Sequence, residues 1–312
     1  MDFQPTRSTI LTIGDSAYQF MPHPFFLDEV YAQEGGEAVI YQVRDTTRNI
    51  LMALKVTKPL CRGVQIARAA AALAPYKDIA GLRVGDRLCL TKSRCAKLIA
   101  VYPDLEYAIL MPWLTGHTWA GFLLDRAAAT RYTHEQALAL ALATVHVLWD
   151  LESHHLTHTD IAGGNIIIAP DTRRVELLDI ESLYAHGSPV PKLHSMGSPG
   201  YQQRKLDQRG QCRPEGDRFA GAILLAEMLS WWSPQVRALT PNHAESLFQP
   251  LELQVTDQYH PAYPRLSAVR NALYTVCPPA LALFDQAWTS PDLAQCPELS
   301  SWAMCLIQGR RG

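Results

Sequence analysis

The chain has no apolar run long enough to cross a bilayer. The longest, roughly residues 219–232, falls short of the about 20 residues a span requires and contains Glu227, so it reads as a buried helix. No CxxC pair occurs. The seven cysteines (Cys61, Cys89, Cys95, Cys212, Cys277, Cys296 and Cys305) form an odd, scattered set that argues against a disulfide framework and a zinc site, leaving buried thiols as the plain reading. Basic residues do not gather in runs, and 28 Lys and Arg against 30 Asp and Glu give a formal net charge of −2, so no nucleic-acid partner is expected. The opening MDFQPTRSTILTIGDS lacks a charged segment followed by a long apolar one and a cleavage site, so the cytoplasm is the expected location. No internal repeat or low-complexity segment is visible.

At 312 residues the chain exceeds the usual size of one domain, which predicts two domains or two lobes; 48% apolar and 19% charged residues supply ample core. FLDEVYAQ, AVIYQVRD and ILMALKVT, between Phe26 and Thr57, read as three antiparallel strands, with Gly35-Gly36 and Asp45 to Asn49 as the turns. Val64 to Ala74 reads as a helix ended by Pro75, and Glu106 to Trp113 as a further strand. From Leu123 the pattern turns helical, and His134 to Leu151, free of glycine and proline, predicts a long helix with one buried face. NIIIAP and RVELLDIE follow as two strands about a turn at residues 170–173, and the remainder is helical and loop-rich. The expected fold class is α+β, with residues 1–25 an extension, 26–113 strand-rich with one helix, and 114–312 helical.

The segment HTDIAGGNIIIAPDTRRVELLDIE sets Asp160 five residues before Asn165 and puts Asp179 at the end of the next strand. Phosphoryl transfer from ATP needs such a set: a carboxylate near the accepting hydroxyl, and an amide oxygen and second carboxylate to hold magnesium against the phosphates. The order and spacing resemble the catalytic loop and metal-binding motif of protein kinases. Upstream, AQEGGEAVIYQV followed by MALKV resembles that family's glycine-rich turn and third-strand lysine, with Ile40 fifteen residues before Lys55. EYAILMPWLTGHTW resembles the strand and hinge between the lobes, GSPGY the peptide-positioning end of an activation segment, and DRFAGAILLAEML the central helix that opens on a structural aspartate. The resemblance runs from about Glu29 to about Leu306, and is strongest to bacterial eukaryotic-like Ser/Thr protein kinases whose metal motif reads D-[IL]-E.

That resemblance implies a bilobal protein-kinase-like fold, with a small antiparallel sheet lobe and a larger helical lobe holding ATP and Mg2+, or Mn2+, between them. A protein substrate would supply the serine or threonine hydroxyl. It implies that Asp160 is the base or hydroxyl-orienter and that Lys55, the other catalytic residue, binds the α and β phosphates. Gly35, Gly36, Ile40, Ala53 and Met111 would surround the nucleotide, with adenine on the Pro112 carbonyl and the Leu114 amide. Asn165 and Asp179 would hold the metal, with His158 and Asp217 as structural support, Asp217 holding the backbone of the catalytic loop.

Several family positions differ. Gln33 and Ala38 stand where glycines are expected, and no acidic residue occurs between Lys55 and Asp78 to pair with the lysine, leaving Gln65 or Asp179 as its possible partners. Thr159 replaces the arginine that meets a phosphorylated activation segment, and Ala162 and Gly164 leave no cation in the catalytic loop, so phosphorylation of that segment is not expected to switch activity on. Glu181 stands at the glycine of the D-F-G motif, either structural or as an extra metal ligand. QQRKL lacks the A-P-E glutamate and Cys296 replaces its arginine partner, a paired loss that strands neither charge. Beside an active kinase, a nucleotide-binding pseudokinase scaffold and a small-molecule kinase fit the same residues.

Overall fold

The computed structural model describes residues 3–169, 174–191 and 194–310, so the turn expected at residues 170–173 lies outside the described residues. The chain is α+β and separates into two units, Met1–Asp78 with Leu82–Leu114, and Ile79–Gly81 with Thr115–Gly312.

The first unit is an antiparallel sheet of β1 (Ile10–Ile13), β2 (Ser16–Phe20), β3 (Ala32–Glu34), β4 (Ala38–Asp45), β5 (Ile50–Thr57), β6 (Leu88–Cys89) and β7 (Ile109–Pro112), with α1 (Val64–Leu73) and α2 (Lys92–Val101). The strand order is β1-β2-β4-β5-β7-β6, with β3 beside β4. Side chains alternate across a strand, so one face collects Leu11, Ile13, Tyr18, Phe20, Val39, Tyr41, Val43, Leu54, Val56 and Leu110 as the core. Phe3 closes that core, its ring edge-on to Tyr41 at 5.9 Å and to Tyr102 at 5.5 Å.

Two readings of the sequence change here. Residues 1–25 are not merely an extension ahead of the sheet: they supply its first two strands, joined by the two-residue loop Gly14-Asp15 with Gly14 at φ 60°. Strands this short carry too few alternations to stand out, and the Gly-Asp turn was the available signal. FLDEVYAQ, conversely, is a strand only from Ala32. His23 Nδ1 accepts the backbone N–H groups of Phe25 and Phe26 at 3.2 and 3.1 Å and stacks on the Phe26 ring, bending the chain out of the sheet so that Phe25, Phe26 and Leu27 are exposed.

In the second unit β8 (His117–Thr118), α3 (Trp119–Leu124) and α4 (Arg126–Ala129) precede α5 (His134–Ser153), whose Thr133 and Gln136 form a reciprocal capping box. Next come β9 (Leu156–Thr157), β10 (Ile166–Ala169), β11 (Arg174–Leu177), β12 (Tyr184–Ala185), α6 (Arg218–Ser230), α7 (Pro234–Leu239), α8 (Tyr263–Val276), α9 (Pro278–Thr289) and α10 (Leu299–Gly309). Helix α6 is buried from Phe219 to Ser230, as an apolar sequence without a polar face requires. A Cβ at Gly221 would stand 3.2 Å from both Leu148 and Leu299, so the bare glycine lets α5 and α10 approach closely. Among the described residues no helix is long and apolar enough to cross a membrane.

Phe20→Ala should lower the unfolding free energy by about 3–5 kcal/mol, the usual cost of emptying a buried aromatic site. Urea denaturation checks this; a near-neutral change would mean that the first hairpin is not part of the core.

Candidate functional site

In the first unit the ladder pairs Ile40 with Lys55 and Lys55 with Ile109, and one step along it pairs Gln42 with Ala53 and Ala53 with Met111. Cross-strand partners share a face, so Ile40, Ala53, Lys55 and Met111 lie together on the face opposite the core. Gly35 and Gly36 form the exposed turn between β3 and β4, closed by the Gly35 N–H donating to the Ala38 carbonyl at 2.8 Å. Pro112 ends β7, opposite Met52, and Leu114 is the last residue of the unit. Gln65 is exposed and donates its amide to the Cys61 carbonyl at 3.2 Å.

The second unit holds the other residues. Two ladders bracket them: β9 pairs with β12 (Thr157 opposite Tyr184), and β10 pairs with β11 (Ile166 opposite Leu177). The loop leaving β9 and the turn leaving β11 are therefore held side by side. The Leu178 N–H donates to the Asn165 carbonyl at 2.8 Å, which brings Asn165 and Asp179 to the same end of the hairpin. Four further contacts join loop and turn or order the loop itself. His158 Nε2 donates to the Leu178 carbonyl at 2.7 Å, a partner that fixes the tautomer, and Nδ1 then accepts the Asp160 N–H at 3.3 Å. Thr159 Oγ1 donates to the Ser182 carbonyl at 3.1 Å, and Ser182 Oγ to the His158 carbonyl at 3.3 Å.

Beneath this loop lies Asp217, just ahead of α6. Its Oδ2 accepts the His158 N–H at 2.6 Å and its Oδ1 the Thr159 N–H at 3.0 Å. Thr159 has φ 70° and Asp179 φ 49°, left-handed conformations that a β-branched residue in particular adopts only under constraint. Both thus sit where the surrounding bonds over-determine the backbone. Burial pushes the Asp217 carboxyl up to about 6, against the lowering influence of the two amide donors.

Asp160 is partly buried, and both of its carboxylate oxygens are engaged. Oδ2 accepts from Asn165 Nδ2 at 3.1 Å, and Oδ1 from the Ser198 hydroxyl at 2.7 Å. Asn165 spends its second N–H on the Asp160 carbonyl at 2.9 Å, which orients the amide oxygen as the end offered to an oxygen-seeking cation. Among the described residues no group of three or more His, Cys, Asp or Glu side chains would hold a metal ion unaided. Asn165 and Asp179 fit a magnesium ion that arrives with phosphate oxygens of its own, the usual manner for that ion. Glu181 is exposed in the short turn Ile180–Ser182.

Two participants escaped the sequence reading. Ser198 lies within GSPGY, but nothing in its spacing signals a bond to a residue 38 positions earlier. Glu227, seen only as a charge inside an apolar run, is fully buried and accepts from Tyr201 Oη at 2.7 Å, Trp119 Nε1 at 2.9 Å and the Leu247 N–H at 2.6 Å. It thereby fastens GSPGY to the central helix. Gly200 permits the approach: at φ 87°, a Cβ there would stand 2.5 Å from Ser246 Oγ and 2.7 Å from the Phe248 carbonyl. A separate cavity of about 540 Å3 beside Arg218 and Cys296 lies away from these residues, its arginine spent on Glu152 at 2.6 Å.

No protein-family model matches the chain, and no curated protein matches it.

Burial pushes Glu227 up to about 7 from its ordinary 4.5. A raised carboxyl adds stability that is complete below the unfolded value and is lost as pH rises through the folded one. The stability advantage of the native chain over Glu227→Gln should therefore shrink between about pH 4.5 and pH 7, as urea unfolding across that range would show. An advantage that does not change with pH would mean that Glu227 stays ionised throughout.

Proposed function

We propose that the chain is an ATP-dependent phosphotransferase of the protein-kinase kind, transferring the γ-phosphoryl group to an alcohol hydroxyl. The observation that carries this reading is the Asp160 carboxylate, which rests on a side-chain amide through one oxygen and already holds a serine hydroxyl, that of Ser198, through the other. A carboxylate so disposed suits orienting an acceptor hydroxyl and taking its proton. Asn165 and Asp179, at one end of the β10–β11 hairpin, are the natural oxygen donors for magnesium, which when bound neutralises phosphate charge. On the sheet unit, Ile40, Ala53 and Met111 offer an apolar platform on the face that also carries Lys55, the composition an adenine ring and its phosphates call for. The reading requires Lys55 and the three residues of the helical unit to serve one nucleotide.

In the reaction, Asp160 would orient the acceptor and receive its proton, while Lys55 would hold the α and β phosphates. No cation stands at positions 162 or 164 of the loop, so the charge of the transition state would fall to Lys55 and to a metal that Asn165 and Asp179 would hold. A Ser/Thr protein acceptor is preferred over a small alcohol because GSPGY, fastened by Glu227 and Gly200, forms a fixed ledge beside Asp160.

The experiment is incubation of the pure chain with labelled ATP and magnesium or manganese, after a thermal-shift measurement with nucleotide. Asp160→Asn should bind ATP as the native chain does and transfer phosphate slower by a factor on the order of 10³. Lys55→Met should weaken both. Equal transfer by Asp160→Asn would remove its assigned role, and nucleotide binding without any transfer by the native chain would favour the scaffold.

A further inference from the structure

We propose that Cys277 and Cys305 are an oxidisable dithiol, a modification site in which a small peroxide links two helices of the second unit. Their sulfurs lie 3.5 Å apart. Cys277 sits between α8 and α9, as the residue that caps the start of α9, and Cys305 lies in α10. Both are buried, at 1% and 7% exposure, which shields them from bulky thiols and restricts the proposed oxidant to a small one. A disulfide needs the sulfurs at about 2 Å, so the remaining gap is of the size that side-chain rotation covers. Room exists for that rotation: Gly309 presents no side chain, where a Cβ would stand 2.9 Å from Cys277 Sγ.

The two thiols are unequal. The hydrogen bond from Cys305 lowers the Cys277 thiol against the opposing effect of burial, with the Ala280 N–H at the start of α9 adding to it, while Cys305 is pushed up. Either sulfur of the pair can be the hydrogen-bond donor, and the proposed order takes Cys277 as the attacking sulfur and Cys305 as the resolving one. In the first step the Cys277 thiolate attacks one oxygen of hydrogen peroxide; an S–O bond forms, the O–O bond breaks, and the departing hydroxide takes a proton to become water. In the second the Cys305 sulfur attacks Cys277; an S–S bond forms, the S–O bond breaks, and the hydroxide leaves with the Cys305 proton as a second water. Two thiols are oxidised and one peroxide is reduced. Cys89, Cys212 and Cys296 are buried too, but burial pushes their thiols up, which disfavours the reactive thiolate.

The test exposes the full folded chain to hydrogen peroxide, blocks remaining thiols by alkylation and maps peptides without reduction. The expected product has lost two hydrogens, yields one linked peptide pair joining residues 277 and 305, reverts with reductant, and melts higher by on the order of 5 °C. Cys305→Ala should instead accumulate a sulfenic acid on Cys277, captured by dimedone. A native chain in which both thiols remain alkylatable while the part-exposed Cys61 is oxidised would overturn the proposal, as would a link joining any other pair. Should Cys305→Ala not fold, the native map alone decides, since the linked peptide is either present or missing.

Discussion

The arrangement around Asp160 depends on one buried carboxylate. Asp217 accepts two consecutive backbone N–H groups, and those two bonds hold Thr159 in a left-handed conformation that a threonine would otherwise leave. Such strain costs on the order of 1–3 kcal/mol. Charge-assisted bonds to backbone amides are of comparable strength, so one aspartate offsets one strained residue. The consequence is directional: with the Thr159 backbone fixed, the His158 ring reaches the Leu178 carbonyl and the Thr159 hydroxyl reaches Ser182, so the loop and the turn bearing Asp179 become one hydrogen-bonded body.

Glu227 does comparable work for the segment that carries Ser198. Three donors converge on it inside a helix with no solvent-facing side, and burial still holds it close to neutrality. The segment after Tyr201 is tied down by neutral groups: buried Gln203 and part-buried Gln254 both donate to the Ser290 carbonyl, at 3.0 and 2.7 Å. Amides on a carbonyl avoid desolvating two charges at this point, and Cys296 beside them is a plain buried thiol.

Local and periodic features were legible in the sequence. The long α5, the buried α6, the strands β4 and β5 and the β10–β11 hairpin all follow from apolar spacing over many residues, and the register of β4 against β5 follows from their shared turn. The first hairpin, β6 and α2 were not legible. Their strands are four, five and two residues long, and α2 is broken in mid-course by Cys95 at φ −133°, so no pattern repeats often enough to register. That Asp160, Asn165 and Asp179 lie near one end of the β10–β11 hairpin was readable, because a loop and a hairpin fix their spacing. Ser198 and Glu227 act over distances in sequence that only the fold shortens, and a serine or a single buried acid has no composition signal of its own.

The sheet unit shows why a lysine can sit in the middle of its fold without harming it. A strand exposes alternate residues to opposite faces, so β5 assigns Met52, Leu54 and Val56 to the core and Ala53 and Lys55 to the other side. The same alternation on β4 and β7 puts Ile40 and Ile109 directly across from Lys55 in the ladder. A shift of register by one residue would exchange the faces, sending Lys55 into the core and Leu54 out of it. The hydrophobic packing of one face therefore fixes the position of the charge on the other. The platform proposed for the nucleotide is specified by residues that would never touch it.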